Sequence, residues 1–381
     1  MSCPQTEPGT IAAPHRVYGL DILRAAAILL VVYAHGENLI SATGFRSAYS
    51  LLELSDGVTV FFVLSGFLIG TILIHISMRR DFGARGLAGF WVRRWFRTLP
   101  AYFLVLGVLV AASAWRKTPL PANIFLYGIF SQNLITEHPG FFPEAWSLSV
   151  EEWFYFLTPL LIFFCLARLE GIQRRKVFLA LLVTGILAIT AFRTGVALTH
   201  SLPNFESWDL LLRKRVLTRL DSVGFGMLGA YVFAFHAEVW KAAKRPLLVI
   251  GLLLIFYDYL ESITWQHEAY RNFLQLTLAP IGTLFLLPCL TGIETGQGVL
   301  HAIFTFISKI SYSMYLLHFS IIQMLLIPAI FSRVHGGDLE KLAVYYGLTI
   351  VLSYFLFSFY ELPMMNLRDR LNLARGRRLK D

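Results

Sequence analysis

Three ionisable residues occur within an otherwise apolar stretch near the start of the chain, residues 19–36 (GLDILRAAAILLVVYAHG). At about 100° per residue, Arg24 and His35 lie on one side of a helix, about 16 Å apart along its axis, and Asp21 lies within roughly 40° of that line. Ionisable groups inside a membrane span usually face a bundle interior or a wet cavity, and such groups are commonly functional. The alternative is that Arg24 snorkels to one membrane face while His35 sits in the other interface.

A histidine oriented by a carboxylate suits general-base activation of a hydroxyl, because imidazole titrates near working pH. The topology predicted from the basic residues places His35 near the outer face, together with Asp56, which starts the second apolar span. It places Glu151 and Glu152 just inside the outer end of a later span, at the same level. These acids are therefore candidate catalytic residues. The alternative is an ion-pair network that only holds helices together.

Arg94 and Arg97 indicate a second kind of site, at the inner face. They are three residues apart on one side of a helix predicted to begin there, with Pro100 close to its first turn. Helix N-terminal amides and paired arginines suit phosphate groups, so the pattern predicts an anion site. Arg24 lies in the inner part of its span, and Glu361 ends the last span at this level. The alternative is that the arginines only enforce topology.

Five further polar residues inside apolar spans are candidates without an assigned role. Arg219 and Asp221 fall in the outer part of one span. Ser311, Tyr315 and His318 follow an i, i+4, i+7 spacing that places them in one stripe of a later helix. The sequence contains no metal-ligand spacing, phosphate-binding loop or nucleophile elbow, so we expect no metal.

The elements that must position these residues are membrane helices. The 381 residues are 56% hydrophobic and only 15% charged, which excludes an ordinary soluble domain. The net charge of +9 is concentrated in particular loops, which indicates topology and not nucleic-acid binding. Eleven apolar segments are present: 19–40, 56–77, 98–115, 121–135, 147–167, 176–198, 216–236, 246–263, 271–292, 307–330 and 342–361.

The distribution of basic residues predicts the topology. The loop between the second and third segments is rich in arginine, as is the chain after residue 362, so both are expected in the cytoplasm. Eleven crossings cannot place both on one side, and segment 121–135 is short and flanked by proline, so we predict that it is re-entrant or interfacial. The expected fold is therefore all-α, a polytopic bundle of about ten transmembrane helices with both termini cytoplasmic. Its parts are an N-terminal tail (1–16), a transmembrane domain (17–361) and a basic C-terminal tail (362–381).

Seven sequence blocks, in order along nearly the whole chain, resemble the motifs of the acyltransferase-3 family of integral membrane O-acyltransferases. Members of this family modify bacterial surface and secreted carbohydrates and some antibiotics. The blocks are GLDILRAAAILLVVYAH (19–35), DGVTVFFVLSGFLI (56–69), RRWFRTLPAYF (93–103), WSLSVEEWFYFLTP (146–159), RLDSVGFGMLGA (219–230), ISYSMYLLHFSI (310–321) and SFYELP (358–363). The resemblance implies a ten-helix core, cytoplasmic termini and an acyl-CoA donor, in agreement with the topology above.

The resemblance also implies a division of roles. His35 matches the family's catalytic histidine, and Arg24 matches the arginine of the same helix. Arg94 and Arg97 match the family's arginine pair and would hold the phosphates of the donor.

Asp56 and Glu151 match acidic motif positions and are possible partners of the histidine; the resemblance does not decide which of them orients it. The chain departs from the family in one place: Glu152 follows Glu151, where a non-acidic polar residue is usual. That departure leaves open which acid acts. The resemblance covers three later motif positions without fixing their roles: Tyr315, His318 and Glu361.

The expected reaction is transfer of an acyl group, by family resemblance acetyl, from cytoplasmic acyl-CoA to a hydroxyl of a carbohydrate or glycoconjugate at the outer face. His35 would act as general base, and direct transfer and an acyl-histidine intermediate both stay open. The expected location is the cytoplasmic membrane of a bacterium, and the oligomeric state is open. A polytopic transporter or exporter is the rival interpretation, although the inverted repeats typical of transporters are not visible in the sequence.

Overall fold

A computed structural model describes residues 16–52, 56–264 and 267–378 of the chain. Within these ranges the protein is helical and contains no β-strand, as the sequence predicts. The predicted N-terminal tail, apart from Arg16, and the last three residues of the C-terminal tail lie outside the described residues. The helices are α1 (Tyr18–Gly36), α2 (Thr43–Ser50), α3 (Gly57–Ser77), α4 (Ala84–Arg116), α5 (Phe125–Gly128), α6 (Ala145–Leu166), α7 (Gly171–Thr199), α8 (Phe205–Trp208), α9 (Leu220–Phe235), α10 (Ala237–Ala242), α11 (Lys244–Thr264), α12 (Gln275–Leu290), α13 (Gly298–Leu317), α14 (Ile327–Phe331), α15 (Asp338–Leu356) and α16 (Leu362–Arg378).

Nine helical stretches in the described ranges are long and apolar enough to cross a membrane. They are Tyr18–Leu39, Gly57–Ser77, Ala84–Arg116, Ala145–Leu166, Gly171–Thr199, Lys244–Thr264, Tyr270–Leu290, Gly298–Phe331 and Asp338–Leu371. The one predicted span that is not among these nine is 216–236. It corresponds to α9, whose 16 residues extend for only about 24 Å. It packs against α3, α7 and α12 in the middle of the bundle. The protein is therefore a multi-pass helical membrane protein.

Segment 121–135 does not cross the bundle, as predicted. Its only α-helix is the four-residue α5, and the chain continues as turns up to α6. Hydrogen bonds hold it to the first turn of α6 and to the chain before α9: the Asn133 side chain donates to the backbone oxygens of Trp146 (3.0 Å) and Lys214 (2.6 Å). The polar end of this segment therefore joins the start of α6 to the approach to α9.

Hydrogen bonds between distant parts of the chain define the two ends of the bundle. Three bonds mark what we call the inner end: Tyr18 N to Glu294 O (3.1 Å), Arg174 Nη1 to Ser77 O (2.9 Å) and Arg368 Nη1 to Arg93 O (3.3 Å). Three mark the outer end: Ser41 N to Asp338 Oδ2 (2.9 Å), Arg213 Nη2 to Asp56 Oδ1 (3.3 Å) and Tyr259 Oη to Leu51 O (2.5 Å). Both ends of the described chain lie at the inner end; that the inner end faces the cytoplasm stays a prediction.

Helix α4 differs from the segment predicted at 98–115, because it begins at Ala84 and continues for 33 residues. Arginines at its start are compatible with a helix that extends beyond the apolar region, since helix propensity does not require apolar residues. Pro100 lies inside the helix and does not mark its first turn. Arg94 and Arg97 are therefore about three turns inside α4.

The backbones of α3 and α9 touch at two glycines. A Cβ atom on Gly66 would lie 1.9 Å from the carbonyl oxygen of Val223, and one on Gly226 would lie 1.9 Å from that of Val63. Small residues allow such close approach between membrane helices. This contact sets the distance between α3, which begins beside Asp56, and α9.

We predict that Gly66→Ala lowers the free energy of unfolding in detergent by about 1 to 3 kcal/mol, because the added methyl group meets backbone that cannot rotate away. Gly107→Ala is the matched control, since nothing lies within 4 Å of a Cβ at this helical position. There the same change removes the helix penalty of glycine and is expected to stabilise by up to about 1 kcal/mol. Denaturant titration of both purified variants measures the difference, and equal effects would contradict the close contact.

Candidate functional site

His35 lies in the last turn of α1, towards the outer end of the bundle. Its Nδ1 atom is 2.8 Å from the carbonyl oxygen of Val31 and 3.3 Å from Nε2 of His318. The two imidazole rings meet edge to face with centroids 4.9 Å apart, and the Phe319 ring packs on His35 at 4.7 Å. The stripe predicted from the sequence therefore brings two histidines together.

The partners of His318 determine which of its nitrogens carries the proton. Its Nδ1 is 2.8 Å from the Tyr315 carbonyl oxygen and 3.1 Å from that of Met314. Carbonyl oxygens only accept, so Nδ1 of His318 is the donor and, in the neutral ring, Nε2 is an acceptor. That Nε2 atom faces Nδ1 of His35. In a neutral His35 ring the proton is therefore on Nδ1.

The same argument identifies the free nitrogen of His35. Both neighbours of His35 Nδ1, the Val31 carbonyl oxygen and His318 Nε2, are acceptors. In the neutral ring the other nitrogen, Nε2, is therefore unprotonated. An unprotonated imidazole nitrogen next to a hydroxyl is what proton abstraction needs.

A π-helical segment, residues His318–Leu326, continues α13 and positions His318. Glu144, which precedes α6, fixes this segment by accepting hydrogen bonds from the backbone N–H (3.1 Å) and hydroxyl (2.6 Å) of Ser320. The Tyr315 hydroxyl donates to the Glu144 carbonyl oxygen (3.1 Å) and lies 2.6 Å from the Ser147 hydroxyl. Glu144 is not a candidate in the sequence analysis, because no local pattern distinguishes it.

Asp56 does not bond to His35, contrary to the pairing considered from the sequence. It caps α3 by accepting from Val58 N (3.1 Å), and it accepts from the Thr59 hydroxyl (2.8 Å) and from Arg213 Nη2 (3.3 Å). Burial favours the neutral acid, but Arg213 and Arg219 outweigh it and lower the pKa of Asp56 to about 2. Asp56 lies within electrostatic range of His35 as a charged neighbour.

Glu151 and Glu152 also lie elsewhere than predicted. Glu151 Oε2 accepts from Arg94 Nη2 (3.2 Å), and Glu152 Oε1 accepts from the Thr98 hydroxyl (2.9 Å). Both acids face α4 because α6 begins at Ala145 and carries them about two turns down the helix. Among the described residues, neither they nor Asp56 hydrogen-bond to His35. The prediction that Glu151 and Glu152 lie near the outer face at the level of His35 is therefore wrong.

Three arginines gather towards the inner end, as predicted. Arg24 is 3.7 Å from Asp21 and donates to the Ser308 hydroxyl (3.4 Å). It lies within electrostatic range of Arg94 and Arg97. Because α4 starts at Ala84, the expected helix N-terminal amides are not at this cluster.

The arginines of the cluster differ in how they are held. Arg94 stacks on the Tyr155 ring at 3.9 Å and donates to its hydroxyl as well as to Glu151. Arg97 is exposed and has no hydrogen-bond or ion-pair partner among the described residues. Glu361 lies within electrostatic range of Arg97 and accepts from the Ser313 hydroxyl. The cluster thus offers one unpaired guanidinium to an incoming anion.

The remaining candidates have partners that join helices. Asp221 forms a buried ion pair with Arg193 Nη1 (2.6 Å), a residue that sequence reasoning missed. Arg219 is fully buried, donates to the Thr59 hydroxyl (2.7 Å) and lies 3.8 Å from Asp56. The Ser311 hydroxyl donates to a carbonyl oxygen of its own helix, that of Ser308, at 3.0 Å.

Comparison with known proteins agrees with this architecture. The model of a family described as an acyltransferase domain matches residues 17–358. A Staphylococcus aureus (strain COL) protein named "Putative O-acetyltransferase" is 27% identical over 375 residues, covering 91% of this chain and 56% of that protein. O-acetyltransferase OatA of S. aureus strain NCTC 8325 is 27% identical over 341 residues, covering 81% of this chain and 51% of OatA. The chain spans about half the length of these relatives, and no solved structure matches it.

The family model covers almost all of the helical bundle, from the start of α1 to the π-helical segment Phe357–Glu361. His35, His318 and the three arginines of the inner cluster all fall within the matched range. The chain belongs to the acyltransferase-3 family.

Proposed function

We propose that this protein is an O-acetyltransferase that moves an acetyl group from acyl-CoA to a hydroxyl presented at the outer end of the bundle. Family membership and the names of the relatives support the reaction class. The observation that carries the proposal is the contact between His35 Nδ1 and His318 Nε2, because it leaves His35 Nε2 free to accept a proton. His318 is a positioning residue in this proposal, and His35 is the base.

The reaction balances with these groups alone. The acceptor oxygen attacks the thioester carbonyl carbon while its proton passes to His35 Nε2. Collapse of the tetrahedral intermediate breaks the carbon–sulfur bond, and the thiolate of CoA leaves. The thiolate takes the proton from the imidazolium, so His35 returns to its starting tautomer. His318 Nε2 accepts from His35 Nδ1–H throughout and keeps the ring in one orientation.

The donor would enter from the inner end. Arginine guanidinium groups bind phosphate oxygens in pairs of hydrogen bonds, so Arg97 and Arg94 are the proposed phosphate ligands. Arg24 adds positive charge on the side of α1 that carries His35, about 16 Å away along the axis. The pantetheine arm would bridge this separation and bring the thioester to His35.

The proposed orientation places the inner end in the cytoplasm, where acyl-CoA is made. The arginines just before α4 and in its first turns, and the basic residues after α15, support this orientation, because positive charge favours the cytoplasmic side. The relatives are bacterial proteins, which supports a bacterial membrane as the location. The proposed acceptor is a carbohydrate or glycoconjugate, as the family resemblance implies.

We predict that His35→Gln lowers kcat by about 10² to 10⁴, because a general base contributes that range. His318→Leu removes the acceptor for His35 Nδ1–H and is expected to lower kcat by about 10²-fold with an unchanged KM for acetyl-CoA. His318→Gln keeps a side-chain oxygen that can accept the same bond, so it is expected to recover at least a tenth of the wild-type kcat.

Acetyl transfer by purified protein in detergent measures these values, and thermal unfolding confirms that each variant is folded. Wild-type kcat in folded His318→Leu would contradict the positioning role, and wild-type kcat in His35→Gln would contradict the base. The same assay separates an enzyme from a transporter, since a transporter would not consume acetyl-CoA.

We predict that Arg97→Gln raises the KM for acetyl-CoA about tenfold or more and changes kcat little, because the lost contact binds donor phosphate before and during transfer. Arg93→Gln is the matched control: Arg93 is an exposed arginine of the same helix, and it bonds to Arg368 through its backbone oxygen and not through its guanidinium group. Dephospho-CoA thioesters provide a second readout. An Arg97→Gln enzyme with the KM of the Arg93→Gln enzyme would exclude the phosphate role.

A further inference from the structure

A cavity of about 560 Å³ lies at the outer end, between the chain that follows α1, the π-helical segment after α13, and the starts of α14 and α15. Its walls are mostly apolar, with aromatic rings from Phe319 and Phe331, and its polar groups come from Asn38, Ser41, Gln323 and Lys341. Ligand sites of this size commonly combine apolar walls with a few placed polar groups.

Two of the lining residues contact His35 directly. The Phe319 ring packs on the His35 ring at 4.7 Å, and Gln323 Nε2 donates to the His35 carbonyl oxygen at 2.9 Å. The Phe319 ring therefore forms the boundary between the cavity and the imidazole. An occupant of the cavity would sit next to the proposed base.

Gln323 has an unsatisfied acceptor that points to the chemistry of the occupant. The carbonyl oxygen of His35 can only accept, so the amide must present Nε2 to it, which directs Oε1 elsewhere. Gln323 Oε1 is buried and has no hydrogen-bond partner among the described residues, and the residue is only 7% exposed. A buried amide oxygen without a donor is unfavourable, and a ligand hydroxyl supplies one.

We propose that this cavity binds the acceptor as a sugar ring, with one hydroxyl donating to Gln323 Oε1 and another directed past Phe319 to His35 Nε2. This inference rests on the proposed acetyl transfer and identifies the acceptor site for it. A sugar ring has apolar C–H faces and a polar hydroxyl edge, which match the two phenylalanine rings and the Asn38 and Ser41 side chains.

The rim of the cavity is held in place by hydrogen bonds. Asp338, at the start of α15, accepts from Ser41 N (2.9 Å), from Ser41 Oγ (2.7 Å) and from Ala42 N (3.0 Å). Lys341, the one charged residue of the lining, lies 3.9 Å from the same carboxylate. Because this cation is already paired, the lining does not favour an anionic acceptor over a neutral one.

Filling the cavity tests the inference. Ser41→Trp adds bulk at the exposed rim, and Met324→Trp does so from the half-exposed opposite wall. Ser47→Trp is the matched control, an equal change at an exposed outer-end residue that does not line the cavity. Each variant is supplied with ¹⁴C-labelled acetyl-CoA and a detergent-permeabilised envelope preparation of the source organism as the acceptor pool.

We expect both cavity-filling variants to lower incorporation of label at least tenfold, with an unchanged KM for acetyl-CoA, while Ser47→Trp stays within about twofold of wild type. The label should be released as acetate by mild base from the glycan fraction. Equal incorporation by Ser41→Trp, Met324→Trp and Ser47→Trp would overturn the cavity as the acceptor site, and label confined to lipid or protein would overturn the sugar. Failure of the wild type to incorporate label would instead reject the proposed transferase function.

Discussion

The arrangement of this protein depends on one contact, the hydrogen bond between His35 Nδ1 and His318 Nε2. In a hydrogen bond between two neutral imidazoles, one ring donates and the other accepts. Here the carbonyl oxygens of Val31, Met314 and Tyr315 determine which ring does which. The carbonyls belong to the helices that carry the histidines, so the tautomers follow from the backbone itself. No carboxylate bonds to His35 among the described residues, so its orientation does not require a buried charge beside the ring.

That contact requires the π-helical segment. His318 begins it, and Ser320 within it is held by Glu144 at the start of α6. π-Helical turns are rare and occur frequently at functional sites, because the extra residue per turn redirects side chains. Here the segment also presents Phe319 to His35 and Gln323 to both His35 and the outer cavity. The π-helical segment thus contributes both His318, which contacts His35, and part of the lining of the outer cavity.

The sequence predicted the all-helical membrane fold, the non-crossing segment and the gathering of Arg24, Arg94 and Arg97. These features follow from local composition and from helical spacing. It placed Glu151 and Glu152 wrongly, because α4 begins at Ala84 and not at the predicted residue 98, so that Arg94 and Thr98 lie well inside the helix, where α6 meets them. Glu144, Arg193 and Gln323 went unnoticed, since a buried partner from a distant segment leaves no pattern in the local sequence.

The two ends of the bundle differ in a way that suits a reaction across a membrane. The inner cluster gathers three guanidinium groups, of which Arg97 has no partner among the described residues, so anion binding there costs no existing ion pair. At the outer end Arg213 is paired with both Asp56 and Asp209, and the lining of the outer cavity includes amide and hydroxyl groups. This difference supports the proposal that an anionic donor binds at the inner end. In the proposed reaction, His35, about 16 Å along α1 from Arg24, is where a donor held at the inner end and an acceptor held at the outer end meet.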